Sequence, residues 1–157
     1  MSAEHQYRAS VVWQGADAAS FTDNSYSRKH HWHFDGGVTV PASSAPAVVP
    51  LPMSAADAVD PEEAFVASLS SCHMLFFLAY AAKKGYIVAT YRDDAVGTMG
   101  RNDEGRIAML EVILRPTIEW SGDNRPDAEA IAGLHDRAHH ACYIANSVKT
   151  IVRIEAA

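Results

Sequence analysis

An α+β fold is what this sequence predicts, and three observations carry the prediction. The run DPEEAFVASLSSCHMLFFLAYAAKKG, Asp60 to Gly85, has helix start and stop signals and no charged residue between Ala64 and Ala82. Short alternating runs precede it, and a longer, turn-linked pair of alternating runs follows it. The strands therefore cluster while the helices stand apart, which suits α+β better than a doubly wound sheet. The predicted order is N-terminal strands, a long buried central helix, a β-hairpin, a second helix and a C-terminal strand.

Gln6 to Gly15 alternates, with Tyr7, Ala9, Val11 and Trp13 on one side, and reads as a strand. Gly15 to Asn24 reads as a loop. Tyr26 to Phe34, YSRKHHWHF, is a second strand with one wet face, closed by the turn residues Asp35, Gly36 and Gly37. Val38 to Val40 adds a short strand. Pro41, Pro46, Pro50 and Pro52 then break regular structure and leave a long irregular arm up to Asp60. Arms of this length are often functional or bound to a partner.

In the central run, Asp60 is placed to cap the first turn, Pro61 suits the first helical position, and Glu63 completes a capping box. Lys83 and Lys84 sit in the last turn and Gly85 ends it. Apolar residues occupy every face, so this helix needs cover on every side. A membrane span needs ~20 predominantly apolar residues, whereas Ser68, Ser70, Ser71, Cys72 and His73 interrupt this run. The favoured reading is a core helix wrapped by sheet and a second subunit.

Tyr86 to Met99 and Arg106 to Trp120 read as a long hairpin turned at Arg101 to Gly105. In its second arm, Ala108, Leu110, Val112, Leu114, Ile118 and Trp120 share one face, and Pro116 weakens the pairing locally. Pro126 opens a second helix, in which Ile131, Leu134 and Ala138 recur at helical spacing through to about His140. Cys142 follows, Asn146 and Ser147 turn, and Val148 to Ile154 closes as a strand.

At 157 residues, 48% hydrophobic and 20% charged, the chain is expected to form one domain, 1–157. Covering the central helix would use most of the other elements, which points to an oligomer. A net charge of −6 and no basic cluster argue against nucleic acid as a partner. The start, MSAEHQYRASVVW, has no apolar signal core, so a cytoplasmic location is expected. Cys72 and Cys142 are too few for a disulfide scaffold, and in a reducing compartment redox or catalytic use becomes the better reading.

A thiol inside a helix is ordinarily a small hydrophobe. To act as a nucleophile it must become a thiolate, and Cys72 lies too far from the helix start for the helix dipole to help. A cation has to come from elsewhere. His135 and His139, spaced i, i+4 in HDRAH, offer a competing zinc arrangement, with Cys142 or His140 as a further ligand. The HHWH cluster of His30, His31 and His33 reads as a polar strand face. His73 points about 100° away from Cys72 around the helix and reads as a hydrogen-bonded core residue.

DPEEAFVASLSSC at Asp60 to Cys72, AHHAC at Ala138 to Cys142, and NSVK at Asn146 to Lys149 together resemble the OsmC/Ohr family of thiol peroxidases. Tyr26 to Gly37 is similar to the YSRxHxWxFDGG stretch of an OsmC-like subgroup. The resemblance implies an OsmC-like α+β fold, an intertwined homodimer, and reduction of organic hydroperoxides by a two-cysteine cycle. Cys72 would be oxidised to a sulfenic acid, Cys142 would condense with it, and an external dithiol would restore both thiols. This chemistry needs no metal or organic cofactor, and the interrupted central run gives no membrane partner. Glu62 matches the family's acidic position, ten residues before the first cysteine. Arg28 is the candidate for the arginine that lowers the thiol pKa, while alignment on Phe34, Asp35 and Gly36 puts His33 where some members carry arginine. Substrate contacts are expected from His33, Met74 and Phe76. A non-catalytic binding protein of the same fold is the remaining alternative.

Overall fold

The computed structural model of the protein describes residues 4–15 and 17–157, and its elements follow the predicted order. The chain forms two compact units. One ends at Ala64 and the other runs Phe65–Ala157, so the boundary falls inside the central helix.

The first unit holds an antiparallel sheet of β1 (Ala9–Val12), β2 (His30–Phe34) and β3 (Thr39–Ala42), with β2 in the middle. Trp32 pairs with Val11 on one side and Val40 on the other. Both expected N-terminal strands are shorter than their alternation suggested. Tyr26 to Lys29 lies outside the sheet, and Arg28 N–H donates instead to the Met53 carbonyl at 2.7 Å. Gly15 to Asn24 is not loop throughout, because it contains helix α1 (Ala18–Thr22), whose first turn is capped by Asp17 accepting from Ser20 N–H at 3.1 Å. Five residues are too few to show a helical period in sequence.

Regular structure also continues through Pro41. That residue sits in β3, an outer strand of its sheet, where a missing N–H is tolerated. Its carbonyl accepts from Val59 N–H at 3.0 Å, and Ser43 N–H donates to the Val59 carbonyl at 3.0 Å. The proline-rich arm is thereby tied back beside β3.

Helix α2 (Pro61–Lys83) begins and ends as its sequence signals require. Glu63 N–H donates to Asp60 Oδ1 at 2.8 Å, and Glu63 Oε2 accepts from Asp60 N–H at 3.4 Å. At the other end Gly85 adopts φ +75°, with Gly85 N–H bonded to the Ala82 carbonyl and Tyr86 N–H to that of Ala81. Its fully buried residues are Leu69, His73, Phe77 and Ala81, one stripe at four-residue spacing. Cover on every face, as the sequence demanded, is not supplied by this chain: Ser71, Leu75 and Ala79 are exposed, Leu75 by 61%.

In the second unit that stripe meets two apolar clusters. Leu69 packs with Val112 and Leu114, while Phe77 and Ala81 pack with Leu134 and Ala138. The expected hairpin is present but divided into β4 (Ile87–Asp93), β5 (Val96–Arg101), β6 (Ile107–Leu114) and β7 (Pro116–Ser121). β4 pairs with β7 and β5 with β6. The pairs Asp93 with Pro116 and Val96 with Ile113 keep one register, so this is a single hairpin broken at its middle. Arg115 N–H leaves the ladder there to donate to Asp93 Oδ1 at 2.6 Å, and Ser70 of α2 donates to the other carboxylate oxygen. Helix α3 (Ala128–Ala141) starts two residues after Pro126, with Asp127 as its cap. A 3-10 turn at Ala145–Ser147 leads to β8 (Ile151–Ile154), shorter than expected and parallel to β6.

Gly97 in β5 is a point where the core has no room. A Cβ there would lie 2.6 Å from Val66 Cγ2 and 2.7 Å from Met109 Sδ. Gly97→Ala should lower unfolding stability by about 1–3 kcal/mol in urea titration. Gly36→Ala, with nothing within 4 Å, should leave it nearly unchanged.

Candidate active site

Cys72 lies about three turns from the start of α2, half-buried, one residue before the buried stripe residue His73. Cys142 caps the C-terminus of α3 and is 1% exposed. Its N–H closes the helix on the Ala138 carbonyl at 2.9 Å, and the following turn folds back so that Ala145 N–H donates to Cys142 Sγ at 3.4 Å. Seventy residues apart in sequence, both cysteines are free thiols, and Cys72 lies near enough to Cys142 to disfavour its ionisation. Burial pushes the Cys142 thiol up to about 11, and the adjacent Cys72 adds to the rise while the Ala145 N–H opposes it.

Phe76 sits one turn after Cys72 on the same side of α2 and meets Tyr143, the neighbour of Cys142, edge to face at 5.0 Å. Met74 is half-buried two residues after Cys72, about 200° around the helix from it. Of the two, Phe76 shares the surroundings of the thiols.

The first unit carries the remaining candidates. Arg28 and Glu62 line one cavity of about 440 Å³ together with Val11, Trp13, Phe21 and Tyr26. The Arg28 guanidinium lies 3.8 Å from the centre of the Tyr26 ring and donates to the Asn24 carbonyl, Asn24 Oδ1 and the Tyr26 carbonyl. It is thus oriented by its own loop. His33 belongs elsewhere: it bonds Thr39 Oγ1 through Nδ1 at 2.9 Å and lines a separate cavity of about 450 Å³ with Lys29 and His31. Of the two candidate cations, Arg28 is the one that shares a cavity with Glu62.

The histidines of α3 have a different arrangement from the zinc pattern. His135 Nδ1 is hydrogen-bonded to His73 Nε2 of α2 at 3.0 Å, with the rings 5.3 Å apart and 8° from parallel. His140 Nδ1 is held by the Asp136 carbonyl at 2.8 Å. Among the described residues no three His, Cys, Asp or Glu side chains converge on a metal position. The zinc alternative therefore lacks its third ligand. His73 was legible as a hydrogen-bonded core residue, but its partner, 62 positions away, was not.

The fold and this geometry define an α+β protein whose central helix carries one thiol beside a second thiol at the end of another helix. The chain belongs to the OsmC-like protein family, whose model matches residues 54–157. It is similar to the structure of an OsmC-like protein of unknown function from Vibrio cholerae. Identity is 49%, the TM-score is 0.96, and the match covers 98% of this chain and 100% of that one. Two more distant structures share the fold. One is an organic hydroperoxide resistance protein from Elizabethkingia anophelis, with 17% identity, TM-score 0.70, and 99% and 96% of the two chains covered. The other is the organic hydroperoxide resistance protein OhrB of Bacillus subtilis, with 17% identity, TM-score 0.65, and 96% and 98% covered. Curated protein sequences give no significant match.

The paired imidazoles predict a pH dependence. Burial pushes His73 and His135 down from 6.5 to about 4 each, helped for His73 by the neighbouring His135 and His139 and opposed for His135 by Asp93. Between those values the unfolded chain binds protons that the folded protein refuses. Stability is therefore complete above about pH 6.5 and falls as pH drops toward 4, by roughly 2–3 kcal/mol per imidazole. Urea midpoints at pH 7.5 and 5.0 should show this loss, and His73→Gln/His135→Asn, which keeps the bond without a titrating ring, should reduce it.

Proposed function

We propose that the protein is a thiol-dependent peroxidase that reduces organic hydroperoxides through a two-cysteine cycle. The observation that carries this reading is the adjacency of Cys72 and Cys142 as free thiols. Cys72, as thiolate, attacks the distal oxygen of R–O–OH. An S–O bond forms, the O–O bond breaks, and the alkoxide leaves as alcohol after taking a proton. Cys72 is then a sulfenic acid. The Cys142 sulfur displaces its hydroxyl, and the thiol proton leaves with it as water. An external dithiol then reduces the disulfide by two exchanges, and no metal or organic cofactor enters the cycle.

The exposure of the two cysteines suits this division of labour. The half-buried Cys72 meets peroxide, whereas Cys142, buried and held protonated, waits for the sulfenic acid. The family's named hydroperoxide resistance proteins support the substrate class. Apolar side chains at Phe76 and around the Arg28 and Glu62 cavity favour organic over hydrogen peroxide.

Helix geometry supports a homodimer in this reading. Ten residues at 1.5 Å each place Glu62 about 15 Å from Cys72 along the same helix, beyond the reach of a glutamate side chain. A Glu62 carboxylate and Arg28 guanidinium that serve the thiol therefore come from a second copy. That copy also covers the exposed face of α2 around Ser71, Leu75 and Ala79. The cytoplasm, with its dithiol reductants, is the compartment this cycle needs.

Dithiol-dependent consumption of cumene hydroperoxide should be lost in Cys72→Ser, while Cys142→Ser should let Cys72 over-oxidise. Unchanged turnover in Cys72→Ser would falsify the proposal. Mixing inactive Cys72→Ser with inactive Glu62→Ala subunits, after dissociation and reassociation, should restore part of the activity, because each mixed dimer holds one intact site. No restoration would mean that Glu62 of a second copy does not serve Cys72.

A further inference from the structure

The imidazole pair in the core is not used by the cycle described above, and its place in the fold gives it a role. His73 follows Cys72 directly in α2. His135 lies in α3, two turns before Cys142, and His139 lies between them on the same side. The one side-chain hydrogen bond joining α2 to α3 among the described residues is His73 Nε2 to His135 Nδ1, at 3.0 Å. The same two helices carry the two thiols.

This pair is an expensive way to fill a core. His73 is 1% and His135 5% exposed, and Phe77 packs on His135 with ring centres 4.4 Å apart. His73 Nδ1, His135 Nε2 and the nearby His139 Nδ1 are buried without a protein partner. Two apolar side chains of like volume would leave no such atoms unpaired, and exchanges of that kind are often neutral or stabilising. What apolar contact does not supply is direction. Apolar packing sets helix spacing and a preferred crossing angle with some scatter, whereas a hydrogen bond between two rigid rings adds a set distance and angle at one point. A disulfide has equally narrow demands, with Cα atoms about 4.4–6.8 Å apart.

We propose that the His73–His135 hydrogen bond is a positioning device, setting the register of α2 against α3 so that Cys72 and Cys142 can close into a disulfide. This rests on the two-thiol reading and adds residues to it. Neither ring is hydrogen-bonded to a cysteine sulfur among the described residues; the pair acts through the helices. With both rings neutral, one nitrogen donates and the other accepts. The groups facing the pair are His139 from α3 and Asp93 from the bend of the hairpin.

The test is the equilibrium of the two thiols with a glutathione buffer, which needs no peroxide. Two cysteine thiols give up two electrons and two protons to glutathione disulfide, forming one protein disulfide and two glutathione thiols. The ratio at equilibrium gives the effective concentration of one cysteine at the other. His135→Leu should lower it about ten-fold, the worth of one good hydrogen bond. His135→Gln, whose polar atoms extend past the Nδ1 position, should lower it too and serves if the leucine variant does not fold. His73→Gln/His135→Asn, with amides at the Nε2 and Nδ1 positions, should bring it back toward the wild-type value.

A folded His135→Leu or His135→Gln protein with the wild-type ratio overturns the proposal, as does failure of the amide pair to restore it. A purely structural role would lower melting temperature without changing the ratio in folded protein. Failure of the peroxidase reading is a separate result, seen when wild-type protein forms the disulfide with glutathione but does not consume hydroperoxide.

Discussion

Cover for helix α2 is the constraint on which the rest of the structure depends. The helix is apolar around its whole circumference, and a helix of that kind cannot stand in water. The hairpin and α3 bury one stripe, Leu69, His73, Phe77 and Ala81, and leave Ser71, Leu75 and Ala79 exposed. The stripe fixes the second unit, because both of its apolar clusters are built on it. The uncovered side is the reason a second copy enters the functional proposal. In the same proposal, the helix geometry that keeps Glu62 from its own Cys72 is a separate reason for that second copy.

Polar groups inside this apolar frame carry the specific geometry. Asp93 takes the Arg115 N–H where the hairpin breaks and the Ser70 hydroxyl from α2, so one carboxylate joins the bend to the central helix. The imidazole pair joins α2 to α3 at another level. Burial disfavours charge on both rings and on the Cys142 thiol, by the same desolvation. In the proposed cycle this holds Cys142 in its neutral form until the sulfenic acid arrives.

The first unit contributes of another kind. Arg28 is not part of a strand. It is held by the 24–28 loop, with its guanidinium over Tyr26 and its donors occupied by Asn24 and Tyr26. A cation so oriented keeps little rotational freedom to lose, which suits the role proposed for it. His33, one strand position from the family motif's phenylalanine, instead faces a cavity with Lys29 and His31. The two candidates differ in element as well as cavity: Arg28 lies on the loop before β2 and His33 within β2.

The sequence by itself determined whatever depends on neighbours along the chain. The ends of α2 followed from Asp60, Pro61, Glu63 and Gly85. The core face of β6 followed from the alternation of Val112 and Leu114, and the family followed from the motifs around Cys72 and Cys142. Elements too short to show a period, such as α1, escaped it, as did the strand through Pro41, which is tolerated only because of its place at the side of the sheet. Tertiary structure alone decided which distant groups meet: His73 with His135, Cys72 with Cys142, Arg28 with Glu62 in one cavity and His33 in another. Local signals report the torsion and capping preferences of adjacent residues. The meeting of groups tens of residues apart depends on how helices and sheets pack, and that is set by the whole buried surface at once.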